Sequence, residues 1–498
     1  MNSDNVASES SVRTGPLFAV MLVGGFVAFL NQTLVNTALP QMMETLQIDA
    51  ATADWLITIY MLVNGIVIPV TAYLLERFTT RQLFLSALGI FTVGTLICGI
   101  APYFSLILVG RVIQAAGAGI MFPLMTSVIF NVFPLERRGA AMGILGVAMN
   151  FAPAIGPTLS GWVVEHYSWR VLFFIIFPIA LINLIVAFFL MRNVTETGRP
   201  KLDVLGVILS TVGFGGLLYG FSTAGNAGWS SPTVISTLVV GVISLLLFVW
   251  RQMTVGHPIL EFRIFRYPIF TLTTVINVVV TMAMFSGMIL LPLYTQTVRG
   301  FTPFEAGLML LPGGIVMGIM SPITGRLFDK YGAKWLAISG LFITIITTYA
   351  LTRLHTNTAY GYVITVFTIR MFGMSLLMMP IFTAGLNALP MSMNSYGTAM
   401  VNTIRMIAGA VGMALFVSIM SDRAATHLEF FTRQGVPVTD ALTREATAMG
   451  INDSFMVATI LTIISFVLAF FLKNTAPGEQ QEKAKDPAVQ WKKQKQPT

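Results

Sequence analysis

Charge is scarce in this chain. Asp, Glu, Lys and Arg make up 10% of its 498 residues, while 55% are hydrophobic. Soluble domains carry about 25% charge, so a water-exposed surface of this extent is excluded and lipid must solvate the sides. Cysteine is almost missing. Cys98 stands alone, which excludes an intrachain disulfide and leaves the redox compartment open. Histidine is sparse too: His166, His257, His355 and His427 fall far apart in loops. No H-E-x-x-H, G-x-S-x-G or G-x-x-x-x-G-K pattern occurs. No enzymatic reaction, metal or cofactor is therefore expected, and ATP hydrolysis by this chain alone is excluded. A channel would want a repeated filter segment, and none is present.

Long apolar runs fill the rest. Spans near the length of a bilayer read as 17–39, 53–75, 82–101, 106–130, 140–163, 171–191, 203–222, 232–251, 268–291, 305–325, 334–353, 360–385, 398–420 and 453–472, fourteen in all. The first follows a polar stretch with no small-residue cleavage site, and reads as a retained span. The 43 glycines and 29 methionines fit packed membrane helices. Net charge is +8, which could point to nucleic acid. Its distribution follows topology instead. With the N-terminus inside, twenty Lys and Arg residues fall on the inner side, six outside, and three (Arg111, Arg370 and Arg405) within spans. This bias puts both termini in the cytoplasm. The tail 473–498 is charged and aperiodic, and reads as disordered. The outer segment 421–452, the longest between spans, reads as a surface hairpin or a short helix.

The spans repeat. Glu76 and Asp329, at matching span ends, lie 253 residues apart. Arg111 and Arg370 are separated by 259, and Gly156 and Gly412 by 256. A near-constant offset makes 17–191 and 268–472 two parallel copies of a six-helix bundle. Residues 1–16 precede them as a cytoplasmic segment, and the linker 192–267 inserts two extra spans. Parallel six-helix halves around a central cavity are a transporter plan.

The motifs give the resemblance. Leu30-Asn31-Gln32-Thr33-Leu34-Val35-Asn36-Thr37-Ala38-Leu39-Pro40 resembles the first-helix motif of the major facilitator superfamily, and Ala72 to Arg81 its loop after helix two. Arg111-Val112-Ile113-Gln114-Ala115-Ala116-Gly117 resembles the fourth-helix motif. Gly156-Pro157-Thr158-Leu159-Ser160-Gly161-Trp162 resembles the antiporter motif of helix five. Trp169 to Phe174 and Phe304 to Pro312 add two more matches. The chain is similar to the fourteen-helix drug:proton antiporters of the lincomycin and quaternary-ammonium resistance type. The resemblance implies an all-α membrane protein with the major facilitator fold: two six-helix bundles, a two-helix insertion and fourteen transmembrane helices. It implies proton-coupled efflux of hydrophobic or amphipathic compounds by alternating access. The expected partners are small molecules, protons and the lipid bilayer, with the chain a monomer in the cell membrane and no nucleic acid bound. An exporter or flippase of a native metabolite or lipid, or a sensor that no longer transports, are the rival readings.

Several residues stand out physically. A guanidinium at membrane depth costs about 2.5–3.5 kcal/mol on insertion scales. Arg111 therefore faces a wet path, or it is a static clamp on backbone carbonyls. Gly156, Pro157 and Gly161 permit a bend or close packing in one span. Glu76 with Arg77, and Gly325, Asp329 and Lys330, sit at inner helix ends. Such acids either lock one face by meeting a helix N-terminus or form an exposed cluster of little energetic weight. In the first copy the usual glycines are replaced by Ala72 and Thr79.

The departure is Asn31, where many relatives carry aspartate. Asn does not take up a proton at physiological pH, and every acid in the chain lies near a span end or outside. Proton-coupling candidates are Glu305 and Asp54 first, then Glu165 and Asp453. Each has a plain alternative as a helix-capping acid. The expected cavity draws on Asn31, Asn36, Tyr60, Asn64, Arg111, Gln114, Asn150, Tyr294, Gln296, Arg370, Asn402 and Arg405. Met374 and Met378 either adapt to varied cargo or simply pack helices. Without a central acid, neutral or amphipathic cargo is expected over cations.

Overall fold

The computed structural model describes residues 14–472 apart from 49, 135–136, 195–196, 199–202, 257 and 391–392. Among these residues the chain is helical throughout, with no strand. The first bundle is α1 (Thr14–Leu46), α2 (Ala50–Arg77), α3 (Thr80–Ile100), α4 (Phe104–Val132), α5 (Arg138–His166) and α6 (Arg170–Leu190). The insertion is α7 (Val204–Ala227) and α8 (Pro232–Thr254). The second bundle is α9 (Pro268–Leu293), α10 (Pro303–Tyr331), α11 (Ala333–Ala350), α12 (Tyr360–Ser375) with α13 (Met378–Asn387), α14 (Asn394–Arg433) and α15 (Asp440–Ala469). Thirteen described spans are long and apolar enough to cross a bilayer, and α5 adds a shorter apolar stretch over Arg138–Met149. Lipid offers no hydrogen-bond partners, so each crossing must satisfy its own backbone as a helix.

One segment differs from the reading of the sequence, and another takes one of its two alternatives. The run 360–385 is one crossing made of two helices, broken at Leu376 and Leu377. Pro380 explains the break: it lacks an N–H, and its ring opposes the carbonyl four residues earlier, at Leu376. The segment 421–452 takes the hairpin form of the two expected and is not a separate short helix. Its two arms are direct continuations of α14 and α15, turned at Gly435 with φ 83°. At 40 residues, α14 is about 60 Å long at 1.5 Å per residue, twice the hydrocarbon thickness of about 30 Å.

Equivalent contacts recur in the two halves. A Cβ on Gly156 of α5 would collide with Thr33 of α1. A Cβ on Gly412 of α14 would stand 2.9 Å from the Met282 backbone of α9. The apolar core falls into two main bodies, one per half. At the end that bears the start of α1, the first body runs on into Met379, Phe382 and Leu386 of α13 and Met400 and Val401 of α14. The halves are thus fused at that end.

The insertion sits at the seam. α7 packs against both α2 and α14 as well as α8. Trp229, just past its end, donates to the Ser418 hydroxyl on α14 at 2.7 Å, and Tyr219 stacks on Trp55 of α2 at 5.4 Å. Asp203 caps α7 by accepting from the Gly206 amide at 3.0 Å and ties it to α8 through Arg251 at 2.6 Å and Gln252 at 2.9 Å. Burial pushes the Asp203 pKa up, but the hydrogen bonds from Arg251, Gly206 and Gln252 outweigh it and hold the carboxyl below its ordinary value. A depressed folded pKa gives stability above the unfolded value of about 3.9, lost as pH falls through the folded one. Asp203→Ala should therefore lower stability by about 1–3 kcal/mol at neutral pH. In thermal melts in detergent, its deficit against the unmodified chain should shrink below about pH 4; a deficit independent of pH would count against the ionised network.

Candidate functional site

A cavity of about 300 Å3 lies between the halves. Its walls come from α1, α2, α4 and α5 on one side and α9 and α14 on the other, with Leu218 of α7 reaching in. Seven methionines line it, among them Met61, Met149, Met284 and Met288. The polar groups are few and neutral except for one. Tyr60, Asn64, Asn402 and Arg405 face it from the expected set, and Gln32, Thr33, Thr58 and Thr281 join them.

Arg111 is fully buried and does not line this cavity. Its Nε donates to the Leu56 carbonyl at 3.0 Å. Its Nη1 donates to Asn31 Oδ1 at 2.8 Å and to Gln114 Oε1 at 3.2 Å. The Tyr60 ring stands 4.2 Å from the guanidinium carbon, so the residue that shows to the cavity is Tyr60. Gln114 is held in turn by donating to Thr95 Oγ1 at 2.8 Å. Asn31 is therefore a partner of Arg111 and not a wall of the cavity. A neutral amide there satisfies one donor without adding a second buried charge.

Arg370 is the second-half counterpart. It too is fully buried. Its Nε donates to Thr348 Oγ1 at 3.1 Å, and its Nη2 to the Ala283 carbonyl and to Ser286 Oγ on α9. Both arginines thus tie the first helix of their half to the fourth. Met374 and Met378 belong to the second-half core and do not touch the cavity. Tyr294 and Gln296 lie in a π-helical turn at the far end of α9, where Tyr294 donates to the His355 carbonyl at 2.6 Å and Gln296 is exposed. The side chains of Asn36, Asp54 and Asn150 lie outside the described residues.

The acids are dispersed. Glu305 is exposed and closes a capping box with Thr302, accepting from the Thr302 amide at 2.8 Å while its own amide donates to Thr302 Oγ1 at 3.2 Å. Glu165 is exposed at the end of α5. Asp453 ties α15 to α14 through Arg423 at 2.6 Å and His427 at 2.9 Å, away from the cavity. None of these three lines the cavity: Glu305 is spent on a helix end, Asp453 on a helical hairpin, and Glu165 is exposed. Asp54 stands one turn before the cavity-lining Thr58 in the register of α2.

Gly325 and Asp329 meet the start of α5 at the fused end. Asp329 accepts from the Gly139 and Ala140 amides at 2.9 Å each, capping α5 of the opposite half with both carboxylate oxygens. This requires the two backbones to touch. A Cβ on Gly325 would collide with the Gly139 carbonyl oxygen, and one on Gly139 with Asp329. Gly143 continues the contact against Ser321. In the first copy, Tyr396 in the opening turn of α14 lies beside Glu76. Arg77 and Lys330 are exposed, with Lys330 5.1 Å from the Tyr331 ring. Phe122 of α4 meets Phe382 of α13 with ring centroids 6.2 Å apart, below the cavity. Toward the other end, Gly161 faces Phe304, and Gly307 faces Pro157. The sequence reading missed Gly139 and Gly143. Their spacing of four, with Gly146 three further on, was the available signal.

Residues 21–413 match the family description "Major Facilitator Superfamily". The chain belongs to the major facilitator superfamily. It is 50% identical to the uncharacterized MFS-type transporter YcnB of Bacillus subtilis, covering 93% of this chain and 96% of that protein. It is 45% identical to the lincomycin resistance protein LmrB of Bacillus subtilis, covering 92% and 95%. Among solved structures it is similar to the human organic anion transporter MFSD10, with a TM-score of 0.63 and 12% identity over 90% of this chain and 99% of that one; identity this low speaks for the fold alone. The chain is a multi-pass membrane protein of a transporter family, with small molecules as cargo.

Two outcomes follow from this geometry. Gly139→Val should part α5 from α10, so that in a Cys98→Ala background a thiol reagent labels Phe382→Cys faster than it does with Gly139 intact. Unchanged labelling would remove the crossing as a seal. Arg111→Ala strands the Leu56 carbonyl and the Asn31 amide, at about 1–3 kcal/mol for each buried acceptor. Thermal unfolding in detergent should therefore show a larger loss for Arg111→Ala than for Arg405→Ala.

Proposed function

We propose that this chain exports hydrophobic or amphipathic compounds across the cell membrane in exchange for protons, by alternating access. It acts as a monomer with both termini in the cytoplasm, and performs no covalent step. The observation that carries the reading is the methionine-lined cavity between two repeated halves, sealed at one end by the Asp329 cap on α5. The excess of Lys and Arg on that side supports a cytoplasmic place for the sealed end. The name of LmrB, lincomycin resistance protein, supports drug export.

Alternating access needs a two-state element. The α5–α10 crossing supplies it. Two hydrogen bonds to a carboxylate are worth about 1.5–3 kcal/mol each, enough to hold the inner end shut and modest enough for cargo and proton binding to release. Gly156, Pro157 and Gly161 let α5 keep its close contacts with α1 and α10. Glu76, with Tyr396, adds the matching latch at α14.

Asp54 is the proton carrier that this arrangement favours. Its place in α2 is one turn before the cavity-lining Thr58, while Glu305, Glu165 and Asp453 are engaged or exposed elsewhere. In vesicles with an imposed pH gradient, Asp54→Asn should abolish gradient-driven drug flux. Glu305→Gln should retain that flux and leave the melting temperature nearly unchanged, because a glutamine closes the same capping box, as Gln82 does with Thr79. If Asp54→Asn transports as well as the unmodified chain, the assignment fails. If the unmodified chain moves neither drug nor protons, the exporter reading fails with it.

A further inference from the structure

We infer that Arg405 makes the central cavity a selector for amphipathic compounds that carry an anionic group, such as a carboxylate beside an aromatic or aliphatic body. The inference deepens the exporter reading and rests on the same cavity. Among the described lining residues Arg405 is the one charged side chain, and none of them is an Asp or Glu. Its Nε is buried with no hydrogen-bond partner. Among the described residues, no hydrogen bond, ion pair or ring contact engages its guanidinium. Arg111 and Arg370 differ: each leaves one buried nitrogen unpaired, Nη2 and Nη1 respectively, but the others donate to carbonyl and side-chain oxygens that tie helices together, and neither residue lines the cavity.

Three physical points turn this difference into selectivity. A guanidinium stays charged at any physiological pH and offers a planar fork of donors that fits a carboxylate with two parallel bonds. In an apolar enclosure its field is poorly screened, so it attracts anions and repels permanent cations. Around it, Met284, Met288, Met406 and Phe285 give an adaptable apolar wall for the rest of the molecule. Asn402, one turn before Arg405 on α14, adds a neutral polar group to the same wall.

The test uses the purified full chain and three probes that share one naphthyl body: naphthylacetate, naphthylacetamide and naphthylmethyl-trimethylammonium. Naphthylacetate should bind at least about tenfold more tightly than the amide, the range of a charge-assisted hydrogen bond, and the ammonium should bind weakest. Arg405→Gln should erase the advantage of the acetate over the amide, and Arg405→Lys should keep part of it. Equal binding of acetate and ammonium, no acetate binding at all, or an unchanged order in Arg405→Gln would overturn the inference. Loss of all three probes in both Arg405→Gln and Arg405→Lys would make the arginine a structural support and overturn it too. Flux of the same probes in proteoliposomes separates the two levels. If the acetate binds in the expected order but does not move under a pH gradient, the exporter reading fails and the assignment of Arg405 stands.

Discussion

The contact between α5 and α10 sets the geometry of everything else. Gly139 and Gly325 remove the side chains that would hold these helices apart, and their backbones touch. That approach brings Asp329 to the exposed amides at the start of α5, where a helix end carries partial positive charge and unspent donors. With the inner ends held, the core of the first half can merge with α13 and α14 below the cavity. The cavity is then the space left where the halves diverge. A lipid-embedded pair of bundles gains little from hydrophobic burial between helices, so close packing and hydrogen bonds must supply the adhesion. Small residues and one carboxylate across a helix end do so here.

Much of the fold was legible because lipid imposes a length on every crossing. Apolar runs near twenty residues mark the spans. The pairing of Arg111 with Arg370 was legible as a repeat, and both occupy the same place in their halves. What was hidden is direction. Arg111, Arg370 and Arg405 look alike in sequence, each a lone cation in an apolar run. Two point between helices of one half, and the third points into the gap between halves. Uniformly apolar helices carry no strong periodicity to tell those faces apart.

The acids divide in the same way. Thr302-Pro303-Phe304-Glu305 has the spacing of a capping box, and a stricter reading of that pattern identifies Glu305 as a cap without a structure. Asp453 is different. Its partners Arg423 and His427 lie on the other arm of a hairpin that extends beyond the apolar run, and no local rule joins them. The break between α12 and α13 was signalled by Pro380, whose effect falls four residues before it.

The insertion has a consequence for how the halves part. α7 touches α2 in one half and α14 in the other, and contributes Leu218 to the cavity. It lies like a caulking strip over the slit that faces the hydrocarbon. Any swing of one bundle against the other must shear along one side of this strip. Acyl chains are as apolar as the leucine and valine faces they replace, so that slippage exchanges one greasy neighbour for another at nearly level free energy. The strip keeps lipid tails out of the chamber and leaves the swing itself free.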